Sequence, residues 1–227
     1  MLMNLFSSFD PITSFFGLMP LNWISALLHL LLIPSLFWVK KNRMTYILFK
    51  ILNFLFKEIS IVMTGKKTGA QMIFISLLLF IMFNNFMGLF PYIFTASSHL
   101  TFSLLFALSL WISFMMFGWI NLTNSMFSHL LPMGTPMILM PFLVCIETIS
   151  NIIRPGTLSI RLTANMISGH LLMTLLGNQG SSISLILMIF FILIQSMLLI
   201  LEVSVSIIQA YVFSILSSLY SGELNSH

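Results

Sequence analysis

The chain has 227 residues, of which 59% are hydrophobic and only 6% charged, against roughly 25% charged in an ordinary soluble domain. So little charge cannot cover a folded surface in water, which excludes a soluble globular protein and predicts an all-α integral membrane protein, the apolar runs being continuous rather than alternating as in a β-barrel. The formal net charge of +4 is no nucleic-acid signal, because seven of the nine Lys and Arg fall between Lys40 and Lys67, the positive-inside pattern of a membrane topology.

In chain order, MLMNLFSSFDPITSFFG (1–17) lacks a positive n-region and is interrupted by Asp10 and Pro11. It does not read as a cleaved signal or as an arginine-rich transit peptide, so the chain is expected to be mature from Met1. Residues 21–39 suit a first span, bent at Pro34 and stopped on the inner side by KKNR, with residues 1–39 as outer N-terminus and first span. Residues 43–64 place Lys50, Lys57 and Glu58 on one face and Ile47, Leu48, Ile51, Leu55 and Ile59 largely on the other. That pattern predicts an amphipathic helix on the inner surface.

Residues 70–121 read as a helical hairpin. A span over 70–92 runs outward, the turn PYIFTASSH (91–99) has Pro91 as breaker and Tyr92 at headgroup level, and a span over 100–121 returns. Asn84, Asn85 and Gly88 in the outward span read as packing residues. NLTNSMFSHLLPMGTP (121–136) is an inner connection. Residues 137–220 then form a second hairpin around GNQGSS (177–182), with the C-terminus inside. Each arm has close to forty residues, roughly 60 Å of helix against a hydrocarbon core of about 30 Å, so each must be tilted or broken. The sum is a single membrane domain of about five membrane-embedded helices plus one surface helix, with no internal repeat of the kind seen in secondary transporters. The single cysteine, Cys145, excludes a disulfide within the chain and reads as a small buried hydrophobe.

Every formal charge after residue 67 lies in this last hairpin or its tail: Glu147, Arg154, Arg161, Glu202 and Glu223. A charge at the bilayer centre costs at least about 2.5–3.5 kcal/mol, so each must face water, protein or a partner charge. Glu223 reads as an end residue snorkelling to the interface, and Arg154, near the inner end, fits either that or a site. Arg161, Glu202 and His170 lie too deep for it. Glu147, Arg154 and Arg161 are seven apart and share a stripe; Asn151 and Asn165 stand one turn beyond Glu147 and Arg161. Glu202 and Gln209 share a face of the other arm. In an antiparallel pair, facing residues have nearly constant index sums, and Arg161 with Gln209 and His170 with Glu202 fall in one register. Arg161 and His170, nine apart, point to roughly opposite sides of their helix.

Three stretches, FNNFMGLFPYIFT (83–95), CIETISNIIRPGTLSIRLTANMISGHLL (145–172) and LEVSVSIIQAYVFSIL (201–216), resemble the mitochondrial a-subunit family of F-type ATP synthases in its animal, arthropod-like form. The resemblance implies that the two long arms are steeply tilted against a ring of proteolipid subunits. It implies that Arg161 faces the ring carboxylates with Gln209 and Asn165 at its level, that His170 and Glu202 line an outer aqueous half-channel, and that Glu147 and Asn151 line an inner one. His170 suits a proton relay because an unperturbed imidazole titrates near pH 6.5.

The implied partners are the proteolipid c-ring, other membrane-sector and peripheral-stalk subunits, and the lipid bilayer, without nucleic acid, cofactor or metal. The implied place is the mitochondrial inner membrane, N-terminus to the intermembrane space and C-terminus to the matrix. No nucleotide-binding loop occurs, so ATP chemistry would lie elsewhere in the assembly. The alternative reading is an ion-coupled antiporter or channel subunit of a respiratory complex. A haem subunit is disfavoured because His29, His99, His129 and His170 are scattered singly. A purely structural scaffold would not need Arg161 and Glu202 deep in lipid.

Overall fold

The computed structural model describes residues 6, 9–11, 21–32, 40, 42–63, 68–90, 93–131, 136–180 and 184–225. Among these every regular element is helical, as the unbroken apolar runs predict. The order is α1 (Ser25–Leu28, between 3-10 turns Leu21–Ile24 and His29–Leu32), α2 (Arg43–Val62), α3 (Thr68–Gly88), α4 (Leu100–Asn121), α5 (Thr123–Leu130), α6 (Met140–Gln179) and α7 (Leu185–Asn225). Four stretches are long and apolar enough to cross a membrane: Gly69–Gly88, Leu100–Asn121, Met137–Gln179 and Leu187–Gly222. The first expected span, 21–39, is described only to Leu32, and there as short helical turns; its Pro34 lies outside the described residues.

α2 is not among the four spanning candidates. Its Leu52, Phe56, Ile59 and Met63 pack on Phe74 and Ile75 of α3, while Ile47 and Ile51 stay exposed. The apolar side read from the sequence therefore divides between a protein-facing edge and an exposed edge. Tyr211 of α7 donates to Glu58 Oε2 at 3.0 Å, tying α2 to the last helix.

α3 and α4 are joined by a buried turn at Ala96–Ser98. Gly88 is required there, because a Cβ would come within 2.6 Å of Thr95 Cγ2. Ser25 donates to the Phe94 carbonyl at 2.9 Å and fastens α1 to the turn. One core holds α3, α4, α6 and α7 together through Leu77, Ile81, Ala107, Leu158, Leu162, Ala210 and Phe213. α7 presents small residues to this core. Ser206, Ser214, Ser217 and Ser218 are buried, and their hydroxyls donate to carbonyls three residues back at 2.7–2.9 Å. Small residues let helix backbones approach closely, and the local bonds satisfy the hydroxyls without a partner helix. Asn85, fully buried, donates to the Ser206 carbonyl across that contact at 3.4 Å.

α6 has 40 residues and α7 has 41. Each is therefore about 60 Å long, twice the hydrocarbon thickness, and crosses only if steeply tilted. Neither is broken. Pro141 sits in the first turn of α6, where its missing N–H is harmless, and Pro155 is carried inside the helix. One correction concerns Cys145, which is exposed rather than buried. It lies on a side of α6 that no other part of the described chain covers, beside exposed Ile146 and Phe142. An apolar thiol is as well placed against lipid or a partner subunit as in a core.

Candidate functional site

α6 and α7 run antiparallel, and the pairs that touch across them keep a nearly constant index sum. Gly180 meets Phe191, Gly169 meets Glu202, and Arg154 meets Tyr220. Within this register the polar residues form one cluster nearer the α6–α7 turn and one nearer the far ends of the two helices, with Arg161 between.

The cluster nearer the turn is enclosed. His170 Nδ1 lies 3.9 Å from Glu202 Oε1, and Glu202 is only 7% exposed. The pair exists because residue 169 is glycine: a Cβ there would stand 2.7 Å from Glu202 Oε1 and 3.0 Å from its carboxyl carbon. The ring of Phe9, from the N-terminal stretch, meets the His170 ring edge-on with centroids 6.2 Å apart. Glu202 Oε1 and His170 Nε2 are both buried without a hydrogen-bond partner, as is Asn85 Oδ1, one helical turn along α7 at Ser206. Buried polar atoms are nearly always satisfied, by protein or by ordered water. Three of the buried polar atoms without a protein partner among the described residues thus lie around this stretch of α7.

The cluster nearer the far ends is open. Arg154 Nη2 lies 4.0 Å from Glu147 Oε1, with side chains 31% and 39% exposed. The Arg154 guanidinium stands 5.0 Å from the centroid of the Tyr220 ring on α7. Asn151, half-buried, lies between Glu147 and Arg154 in sequence. Pro155 removes the N–H that would serve the Asn151 carbonyl, so the helix is locally more polar at this turn.

Arg161 is exposed, whereas Leu158, Ser159, Leu162, Thr163 and Met166 around it on α6 are buried against α4 and α7. The arginine thus projects from the uncovered side of the helix. Among the described residues it has no ion pair and no hydrogen bond. Asn165 and Gln209 are half-buried, and Gln209 precedes Ala210, which is fully buried in the core. The structure thus pairs His170 with Glu202 and Glu147 with Arg154, but joins Arg161 to neither Gln209 nor Asn165 directly. The sequence reading missed Gly169 and Tyr220. Their index sums with Glu202 and Arg154 nearly equal that of His170 with Glu202, which marks their level along the hairpin but neither the close approach at residue 169 nor the ring contact of residue 220.

The described residues hold no set of three His, Cys, Asp or Glu placed to bind a metal ion. A family model described as ATP synthase A chain matches residues 19–222. ATP synthase subunit a of Drosophila melanogaster is 58% identical over 226 residues, spanning 99% of this chain and 100% of the relative. The same protein is 57% identical in Locusta migratoria over 226 residues and 56% identical in Aedes aegypti over 227, with the same coverage of both chains.

Proposed function

The chain belongs to the ATP synthase A chain family, and on that premise we propose that Arg161, Asn165, Gln209, His170, Glu202, Glu147 and Asn151 load and unload protons on a rotating ring of proteolipid carboxylates. The chain is a multi-pass membrane protein, the proton-translocating subunit of the membrane sector, and it assembles with other ATP synthase subunits. Its place in this reading is the mitochondrial inner membrane, with the N-terminus toward the intermembrane space and the C-terminus toward the matrix. The ring and the peripheral stalk are its neighbours.

A proton from the outer side reaches the enclosed pair of His170 and Glu202 and passes to a ring carboxylate. Neutralised, that carboxyl can enter lipid without the penalty of at least about 2.5–3.5 kcal/mol that its charge would carry. After nearly a full turn of the ring it meets the open inner cluster and releases its proton past Glu147 and Asn151. Arg161 stands between the two paths. Its guanidinium stays charged, stabilises the ionised carboxylate passing it and repels a proton that would cross directly. Gln209 and Asn165 line the same level. Each elementary charge moved down the potential releases roughly 2.3 kcal/mol per 100 mV, which turns the ring. No residue of this chain contacts nucleotide in this scheme.

The observation that carries the reading is Arg161 itself, a permanent charge deep in a 40-residue apolar helix, exposed on the uncovered side and without a carboxylate of its own among the described residues. The test is Arg161→Ala in the intact complex in sealed vesicles, with ATP-driven pumping and passive proton flux measured together. Pumping should fall at least about 100-fold, the rate equivalent of losing one favourable intramembrane charge interaction, and passive flux should rise. An assembled variant that pumps normally would overturn the assignment.

A further inference from the structure

Arg154 has no part in the scheme above, yet its surroundings are as specific as those of any residue in it. A snorkelling arginine aims its head at the headgroups and leaves its neighbours indifferent to it. Arg154 does otherwise: its guanidinium faces the Glu147 carboxylate, 4.0 Å away on the same helix, and the Tyr220 ring, 5.0 Å away on α7. A planar, delocalised guanidinium can lay its face on an aromatic ring while its edge points at a carboxylate, which an ammonium cannot do. The next residue is Pro155, whose missing N–H removes one rung of the α6 ladder at Asn151. The turn that carries the inner acid's neighbour is therefore held less by its own backbone and more by what its side chains grip.

We propose that Arg154 is a positioning residue of the inner proton path: the Tyr220 ring of α7 holds its guanidinium, which in turn holds the Glu147 carboxylate at the mouth. The inference rests on the assignment of Glu147 to that path. Arg154 touches no transferred proton; it acts through Glu147. The two arginines of the stripe then have divided tasks, Arg161 free to meet the carboxylates of another subunit and Arg154 committed to a carboxylate of its own chain.

The experiment is a double-mutant cycle in the assembled complex, measuring ATP-driven pumping in sealed vesicles for Glu147→Gln, Arg154→Gln and both together. Arg154→Gln should slow pumping about fivefold, the size of one partly exposed ion pair plus one cation–π contact, without raising passive flux. The double variant should be no slower than Glu147→Gln alone, because a residue that acts through Glu147 has nothing left to position. Tyr220→Phe, which keeps the ring, should pump as the parent does, and Tyr220→Leu should slow like Arg154→Gln. Arg154→Lys, which keeps charge but not the stacked fork, should recover only part of the rate. If the two single effects simply add, or Tyr220→Leu pumps normally, the positioning role is wrong. If Glu147→Gln itself pumps normally, it is the assignment of Glu147 that fails. Should Arg154→Gln not assemble, the Tyr220 pair and Arg154→Lys decide the matter.

Discussion

The two ends of the α6–α7 hairpin each bring one acid to the candidate site, in opposite surroundings. Glu202 is sealed, 7% exposed, packed over a glycine and beside a histidine whose far nitrogen has no partner. Glu147 has a side chain 39% exposed and an arginine within 4.0 Å. A sealed acid depends on every atom around it, since water cannot make good a misplaced neighbour; an open one can be served by solvent from several directions. The outer end should therefore be intolerant of small changes in shape and the inner end tolerant of them. On the proton path proposed above, the end at Glu202 would confine protons to a single approach, while the end at Glu147 would need only to disperse them.

The sharpest way to break this comparison is at Gly169. Gly169→Val adds a branched side chain where a Cβ alone would lie 2.7 Å from Glu202 Oε1. Overpacking a filled site costs about 1–3 kcal/mol, and here the strain falls on the carboxylate proposed to pass the proton. Pumping by assembled complex should drop up to about 100-fold, with ATP hydrolysis slowed in step if the two stay coupled. Normal pumping would mean that Glu202 can move aside freely, and the outer site would not be the tight one described.

A milder contrast keeps shape and removes charge. Glu202→Gln should slow pumping by about tenfold or more, since the amide can neither take up nor pass on the proton and burial admits no substitute. Glu147→Gln at the open end should slow it less, by about fivefold, because water can bypass the amide. Measured side by side in the same vesicles, equal effects would erase the distinction between the two ends, and a reversed order would make the inner acid the critical one.

How much of this was legible follows from the same contrast. The helices, their order and the two forty-residue arms came from continuous apolar runs and a confined basic cluster, because lipid allows a spanning segment few alternatives to helix. The facing of His170 and Glu202 was legible from two index sums. The space beneath Glu202 was not, because a glycine announces no neighbour until the helix beside it is placed; nor was the stacking of Arg154, because Tyr220 looks like any interfacial tyrosine. Cys145 was misread for a related reason. In a soluble protein apolar means inside, whereas α6 carries Cys145, Ile146 and Ile149 on an uncovered face, where lipid or a neighbouring subunit replaces the core. Periodicity reports which residues share a face but not what lies opposite that face.

The smallest expected effect concerns the bond between α2 and α7, at the level of Arg161 and away from the stripe of Glu147 and Arg154. Tyr211 is 38% exposed and donates to Glu58 Oε2 at 3.0 Å. A hydrogen bond to a carboxylate is worth about 1.5–3 kcal/mol when shielded and less when solvent competes, so Tyr211→Phe should loosen the docking of α2 by about 1 kcal/mol. Hydrogen exchange across residues 43–62 should quicken by roughly the corresponding factor of five, while pumping stays within twofold of the parent. A loss of pumping as large as that of Glu147→Gln, with exchange in α2 unchanged, would instead place Tyr211 on the inner path, two residues from Gln209, and extend the open end of the hairpin outward toward Arg161.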